Sequence, residues 1–209
     1  FVIVLAHAGL EHYNLPQKEW RLRYKHFCDL GADVVIGSHP HVPQGYEFYD
    51  DAIIFYSLGN FYFDSKNYKD KEDRSYSVIL KLDKNQKVDF EPVFHHKENG
   101  LVQLSSPEKK IDLDILNEYL DGRYEGLHDQ MSWDVFNQKL KPNLIDSLMP
   151  IPYDGKFKSS VKKMIASLIG RRKKIDKDLL SLHLIRNEAY YYAIKHALEL
   201  RASEKYGGQ

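Results

Sequence analysis

One cysteine, Cys28, stands in 209 residues, so the chain can form neither an internal disulfide nor a thiolate metal cluster. Long apolar runs are missing too: none approaches the ~18 residues that a membrane span needs. Neither sign of charge is in excess. Lys+Arg and Asp+Glu each total 30, so no global field draws the chain to nucleic acid or to an anionic surface, and no nucleic-acid partner is expected. The chain also lacks an opening methionine. It begins inside the apolar run Phe1-Val2-Ile3-Val4-Leu5 with no turn before it. We expect the natural amino terminus, with any targeting segment, to lie upstream. The compartment therefore has no signature, and cell-envelope and cytoplasmic locations both stay open.

What is present is ordinary for a globular protein, with 43% hydrophobic and 29% charged residues. Phe1 to Ala6 has strand length and is apolar throughout, the pattern of a strand covered on both faces. Pro16 to Leu30 carries Trp20, Tyr24 and Phe27 at helical spacing and stops at Gly31. Asp33 to Ile36 is a second short apolar strand. Strand, helix and strand in about forty residues form a βαβ unit, so these strands should be parallel. Tyr46 to Tyr49 and Ala52 to Tyr56 flank Asp50-Asp51 as a hairpin. Ser75 to Leu82 and Val88 to His95 alternate around the turn Asp83 to Gln86 as a second one. The charged stretch Asp64 to Arg74 between them has no periodicity and reads as a loop. Beyond Gly100 the pattern turns helical, over Pro107 to Leu120, Ser132 to Leu148, Ser159 to Leu168 and Leu182 to Leu200. The expected division is an α/β part over 1–104 and a helical extension over 105–209.

Two histidine groups follow strands. His7 opens His7-Ala8-Gly9-Leu10-Glu11 after the first strand, and Gly37-Ser38-His39-Pro40-His41 follows the second. Ligands of parallel α/β sheets bind at the carboxyl ends of the strands, so the topology should bring both groups to one rim. Pro40 restricts His39 to extended backbone, where residues two apart point the same way, so His39 and His41 should face one ion or bridge a pair. Neutral imidazoles suit zinc or iron, and mixed imidazole–carboxylate sets extend to manganese. His12 and His26 read as surface or core-edge residues. His95-His96 ends a strand and reads as solvated, and His128, His183 and His196 read as structural.

Three segments in order resemble a known family. His7-Ala8-Gly9-Leu10-Glu11-His12 resembles its His-Trp-Gly-x-Glu-Tyr segment, and the run from Gly31 through His39-Pro40-His41 to Gly45 resembles its Gly-Ala-Asp-x-Val-Ile-Gly-x-His-Pro-His-Val-x-Gln-Gly block. Ile54-Phe55-Tyr56-Ser57-Leu58-Gly59-Asn60-Phe61 is similar to its Phe-Tyr-Ser-Leu-Gly-Asn-Phe signature. These are carboxy-terminal motifs of CapA-type proteins, named for poly-γ-glutamate capsule synthesis, and the resemblance covers about residues 1 to 100. It implies part of a calcineurin-like metallophosphoesterase fold, a four-layer α/β sandwich with a two-metal site. It also implies His7, His39 and His41 as metal ligands and His7, Glu11 and Asn60 as catalytic groups, with Glu47 close by. The family's other ligands come from an Asp segment and an Asn-His segment that precede these motifs. A missing amino-terminal segment or another chain is therefore an expected partner. Ala8 stands where the family has Trp, and Ser38 where it often has His.

The resemblance further implies divalent manganese, zinc or iron as cofactor, and an anionic polymer or phosphoester as substrate. Two such cations about 3.5–4 Å apart clamp an oxygen and activate a bridging water. In the helical half, Lys156 to Lys177 is rich in lysine and arginine, with Val161, Met164, Ile165, Leu168 and Ile169 as an apolar stripe. A solvated basic face is the plainer reading. Peripheral membrane or polyanion contact through 156–177 is the sharper one. Two functions compete: a metal-dependent hydrolase of envelope polymer metabolism, and a non-catalytic polymer-binding or assembly component that keeps the fold.

Overall fold

The structure is a computed structural model and describes residues 1–63, 73–148 and 177–206. These residues divide into two compact units, Phe1–His128 and Asp129–Gln209.

The first unit is an α/β fold built on two sheets. One sheet has the order β1-β2-β4-β3, with β1 (Ile3–Ala6), β2 (Val34–Gly37), β3 (Tyr46–Tyr49) and β4 (Ala52–Phe55). Strands β1, β2 and β4 are parallel, in the register Ile3↔Val34↔Ile53, and β3 returns antiparallel to β4. Helix α1 (Lys18–Asp29) makes the crossover from β1 to β2, as the strand–helix–strand pattern predicts. The helix stops where Gly31 adopts φ 101°.

The register explains why β2 and β4 are apolar throughout. Val34, Ile53 and Phe55 face the second sheet and form one buried cluster with Tyr76, Val88, Leu113 and Leu116. Phe55 meets Phe90 edge-on at 4.8 Å between centroids. The alternate residues face α1, where Tyr24 stacks on Tyr56 at 5.8 Å. Gly37 lies where these layers are closest. A Cβ there would sit 2.1 Å from the Tyr56 carbonyl oxygen, so only glycine fits.

The second sheet is antiparallel, in the order β5 (Asp73–Lys81), β6 (Asp89–Glu98) and β7 (Leu101–Leu104). The expected hairpin is β5–β6, and the strand extends to Asp73 and Arg74, which the sequence reading had placed in a loop. The rest of that loop, 64–72, lies outside the described residues. Strand β7 was not expected: no strand was read in 101–104, although these residues were placed in the α/β part. Asn99 (φ 52°) and Gly100 (φ 77°) form the two-residue turn that sends the chain back along β6. A short 3₁₀ turn (Pro107–Lys109) and α2 (Leu113–Glu118) follow, and Asp112 caps α2 by accepting hydrogen bonds from the backbone of Asp114 and Ile115.

A further correction concerns β1. It was expected to be covered on both faces, yet it is the edge of its sheet. Its inner-face residues Ile3 and Leu5 are 41% and 79% exposed, because the second sheet does not extend over them.

Beyond α2 the described chain is helical. α3 (Tyr124–Val135) continues through a π-helical turn (Phe136–Leu140) into α4 (Lys141–Leu148). Two more helices cover Lys177–Arg186 and Glu188–Tyr206, with Asn187 accepting from Tyr190 N at their junction. Tyr190-Tyr191-Tyr192 lies in the last of these. The expected helix 159–168 and all of the basic stretch except Lys177 lie outside the described residues. No helix among the described residues is long and apolar enough to cross a membrane.

Candidate metal centre

All three parallel strands end at one rim and between them deliver four of the predicted residues: His7 after β1, His39 and His41 after β2, Asn60 after β4. Backbone ties hold the loops in register. Leu58 N donates to Gly37 O at 3.1 Å, and His12 N to Pro40 O at 2.8 Å. The Gln44 side chain, 1% exposed, donates to Tyr13 O at 2.8 Å.

The histidines converge, though by a different route from the one expected. The segment 38–41 is a turn instead of an extended run: His41 N donates to Ser38 O at 3.4 Å and His41 has φ 61°. A non-glycine residue in this left-handed region costs about 1 kcal/mol or more and is held there by its surroundings. The turn sets the His39 and His41 ring centroids 5.6 Å apart. His7 meets His39 edge-on, with His7 Nε2 3.0 Å from His39 Nδ1. The other nitrogen of His39 lies 3.8 Å from a Glu11 carboxylate oxygen. Burial pushes the His39 pKa down, aided by the neighbouring His7, His41 and His12 and opposed by Glu11, so the ring favours the neutral form that a ligand needs.

Asn60 orients His41. Its Oδ1 lies 2.9 Å from His41 Nδ1, and its Nδ2 donates to Asp73 Oδ2 at 3.2 Å. Asp73 can only accept, which fixes the amide with its oxygen toward His41. His41 Nδ1 must then carry the proton, leaving the Nε2 lone pair free.

Glu11, His39 and His41 each offer one ligand atom, and the three atoms lie within 4.8 Å of one another. Ligand atoms ~2.0–2.2 Å from a zinc ion in a tetrahedron stand about 3.3 Å apart, so small side-chain movements would close this set on one ion. Two imidazoles and a carboxylate are also the donor types that zinc, iron and manganese accept, and the residues therefore fit such an ion. His39 can offer only one nitrogen to a given ion. Its Nε2 faces Glu11, while its Nδ1 faces His7.

Glu47 is placed elsewhere. It takes Arg21 in two hydrogen bonds of 3.1 and 2.6 Å, an ion pair with Lys25 at 3.2 Å and a hydrogen bond from Tyr56, fastening α1 to the sheet's far edge strand. His95 and His96 were expected to be solvated, but both are 4% exposed. Phe61 closes on the His95 ring at 4.9 Å, and Ser105 and Lys109 meet His96. His12, read as a surface or core-edge residue, lies 6.1 Å from His41 between centroids and shares its positive φ, at 70°. Asp73 was missed, and no spacing in the sequence signals it. Lys18 N donates to His128 at 3.2 Å, and His196 pairs with Asp129 at 2.6 Å.

Comparison with known proteins gives the site a family context. Residues 1–65 match the family model described as "Bacterial capsule synthesis protein PGA_cap". The opening segment is similar to CapA-type proteins. The chain is 48% identical over 63 residues to "Capsule biosynthesis protein CapA" of Bacillus anthracis, a stretch covering 30% of this chain and 15% of that protein. It is 34% identical over 96 residues to "PGA biosynthesis protein CapA" of Bacillus subtilis (strain 168), covering 46% of this chain and 25% of that one. The matches thus span a quarter or less of the CapA relatives. The residues matched by the family model include every rim residue from His7 to Asn60.

Proposed function

We propose that the rim formed by Glu11, His39 and His41 is part of a divalent-metal centre with hydrolase chemistry, acting in the biosynthesis of poly-γ-glutamate capsule or a related cell-envelope polymer. The observation that carries this reading is the mutual approach of three ligand atoms to within 4.8 Å on loops of a CapA-type segment. A bound zinc, manganese or iron ion would lower the pKa of a coordinated water and polarise a phosphoryl or carbonyl oxygen. The chain's own residues do the rest. Asn60 holds His41 in one tautomer, Gly37 lets the backbone turn between strand and ligands, and His7, exposed beside His39, can hand a proton to a leaving group. The family's Asp and Asn-His segments would supply further ligands from outside residues 1–209.

Zinc titration followed by calorimetry tests the reading. The chain should bind, and the His39→Ala/His41→Ala variant should lose that binding. Equal binding by both proteins would contradict it.

A non-catalytic role in holding polymer has one observation of its own. Phe61 and Tyr62, which follow Asn60 directly in sequence, are 64% and 50% exposed. Exposed aromatic faces of this kind suit sugar or polymer chains.

A further inference from the structure

Asn60 sits on a backbone held by the second sheet. Gly59, at φ 81°, passes so close to β5 that a Cβ would stand 2.9 Å from the Ser75 Cβ and 3.1 Å from Pro43 N. The next residue, Asn60, receives the Ser75 hydroxyl on its carbonyl oxygen. Ser75 is itself buried against His95, whose Nδ1 lies 3.2 Å from Ser75 Oγ and whose Nε2 lies 3.0 Å from Ser77 Oγ.

The protons in this chain can be assigned. The Asn60 carbonyl has none, so the single hydroxyl proton of Ser75 points at it. His95 Nδ1 must then donate to Ser75 Oγ, and Nε2 of the neutral ring accepts from Ser77. Burial, the largest influence on His95, lowers its pKa and favours this neutral state. Phe61 closes over the ring edge-on at 4.9 Å. The same strand holds the far end of the segment, where Lys97 Nζ donates to Phe63 O at 2.5 Å and Phe63 lies 5.1 Å from the His41 ring. Strands β5 and β6 thus anchor residues 60–63 at both ends, through Ser75 and Lys97.

We propose that Ser75 and His95 are positioning residues for His41, acting through Asn60. The inference deepens the metal-centre reading and rests on it for its functional meaning. Its structural content is the His41 tautomer, which is defined without metal. With Ser75 and His95 in place, Asn60 Oδ1 faces His41 and keeps the proton on Nδ1. Without them the Asn60 backbone is released from β5, and His41 reverts toward the Nε2-protonated form that free neutral imidazole prefers, with its metal-facing lone pair blocked.

The test is long-range 1H–15N NMR on the histidine-labelled, chelator-treated chain at about pH 8, where imidazoles are neutral. The wild type should show His41 protonated at Nδ1. Ser75→Ala and His95→Leu should move His41 to a mixed or Nε2-protonated state. His95→Asn, whose amide nitrogen replaces Nδ1 as donor, should preserve the wild-type signature. The His95 pair keeps the test decisive if Ser75→Ala does not fold. An Nε2-protonated His41 in the wild type, or an unchanged tautomer in both Ser75→Ala and His95→Leu, would overturn the proposal. Zinc affinity separates it from the reading beneath it. A tautomer change with zinc binding about 10- to 100-fold weaker supports both. A tautomer change in the variants, with no zinc bound by the wild type, upholds the positioning role and removes the metal centre.

Discussion

Glu47 concentrates more charge than any rim residue, with Arg21, Lys25 and Tyr56 all directed at a carboxylate whose side chain is 17% exposed. Replacing it by glutamine would strand Arg21, itself 17% exposed, without its counter-ion. The expected loss is about 3 kcal/mol in urea unfolding at neutral pH, and a loss below about 1 kcal/mol would mean the pair behaves like a surface ion pair. The pH dependence has a definite sign. Burial alone would raise the Glu47 pKa, but hydrogen bonds from Arg21 and Tyr56 and the charges of Arg21 and Lys25 pull it below 4.5. A carboxylate depressed in the fold stabilises it above the unfolded-state pKa, and that contribution fades as pH falls through the folded one. Acid titration of the wild type should therefore show stability falling below pH 4.5, and Glu47→Gln a flatter curve there. At this scale the sequence made the rim histidines legible, because His7 and His39-Pro40-His41 each follow an apolar strand. It did not reveal how they converge, since His41, besides its local bond to Ser38, is met by Asn60 and Phe63, whose approach local spacing does not encode.

Among the elements, β1 is the exposed one. Its edge, without a partner among the described residues, and the uncovered side chains of Ile3 and Leu5 form an apolar strand of the kind that pairs with other chains. The chain should self-associate with rising concentration in sedimentation velocity, and Leu5→Lys should shift it toward monomer. A concentration-independent monomer in the wild type would contradict this. The burial of β1 was misread because a continuous apolar run is the mark of a strand between two layers, and sequence carries no record of how far the second sheet reaches. Strand β7 was missed for a different reason. Asn99-Gly100 is a strong two-residue hairpin signal, but Leu101–Leu104 is short and sits next to helical patterns. The βαβ unit and both expected hairpins were legible because each combines a clear period with a marked turn.

For the whole molecule, the arrangement that matters is the shared end of three parallel strands. It gathers His7, His39, His41 and Asn60 from positions up to 53 apart in sequence, with Glu11 closing the set. The second sheet then braces Asn60 from behind through Asp73 and Ser75. The match to the capsule-synthesis family model falls on this same stretch, residues 1–65, and the helical residues past α2 lie outside that model's span. The most direct test of the metal-centre claim is the metal content of the full-length protein, by elemental analysis beside the His39→Ala/His41→Ala variant. The account predicts stoichiometric manganese, zinc or iron in the wild type and its loss in the variant. Absence of metal from both, even after reloading, would contradict it and leave the rim to polymer binding.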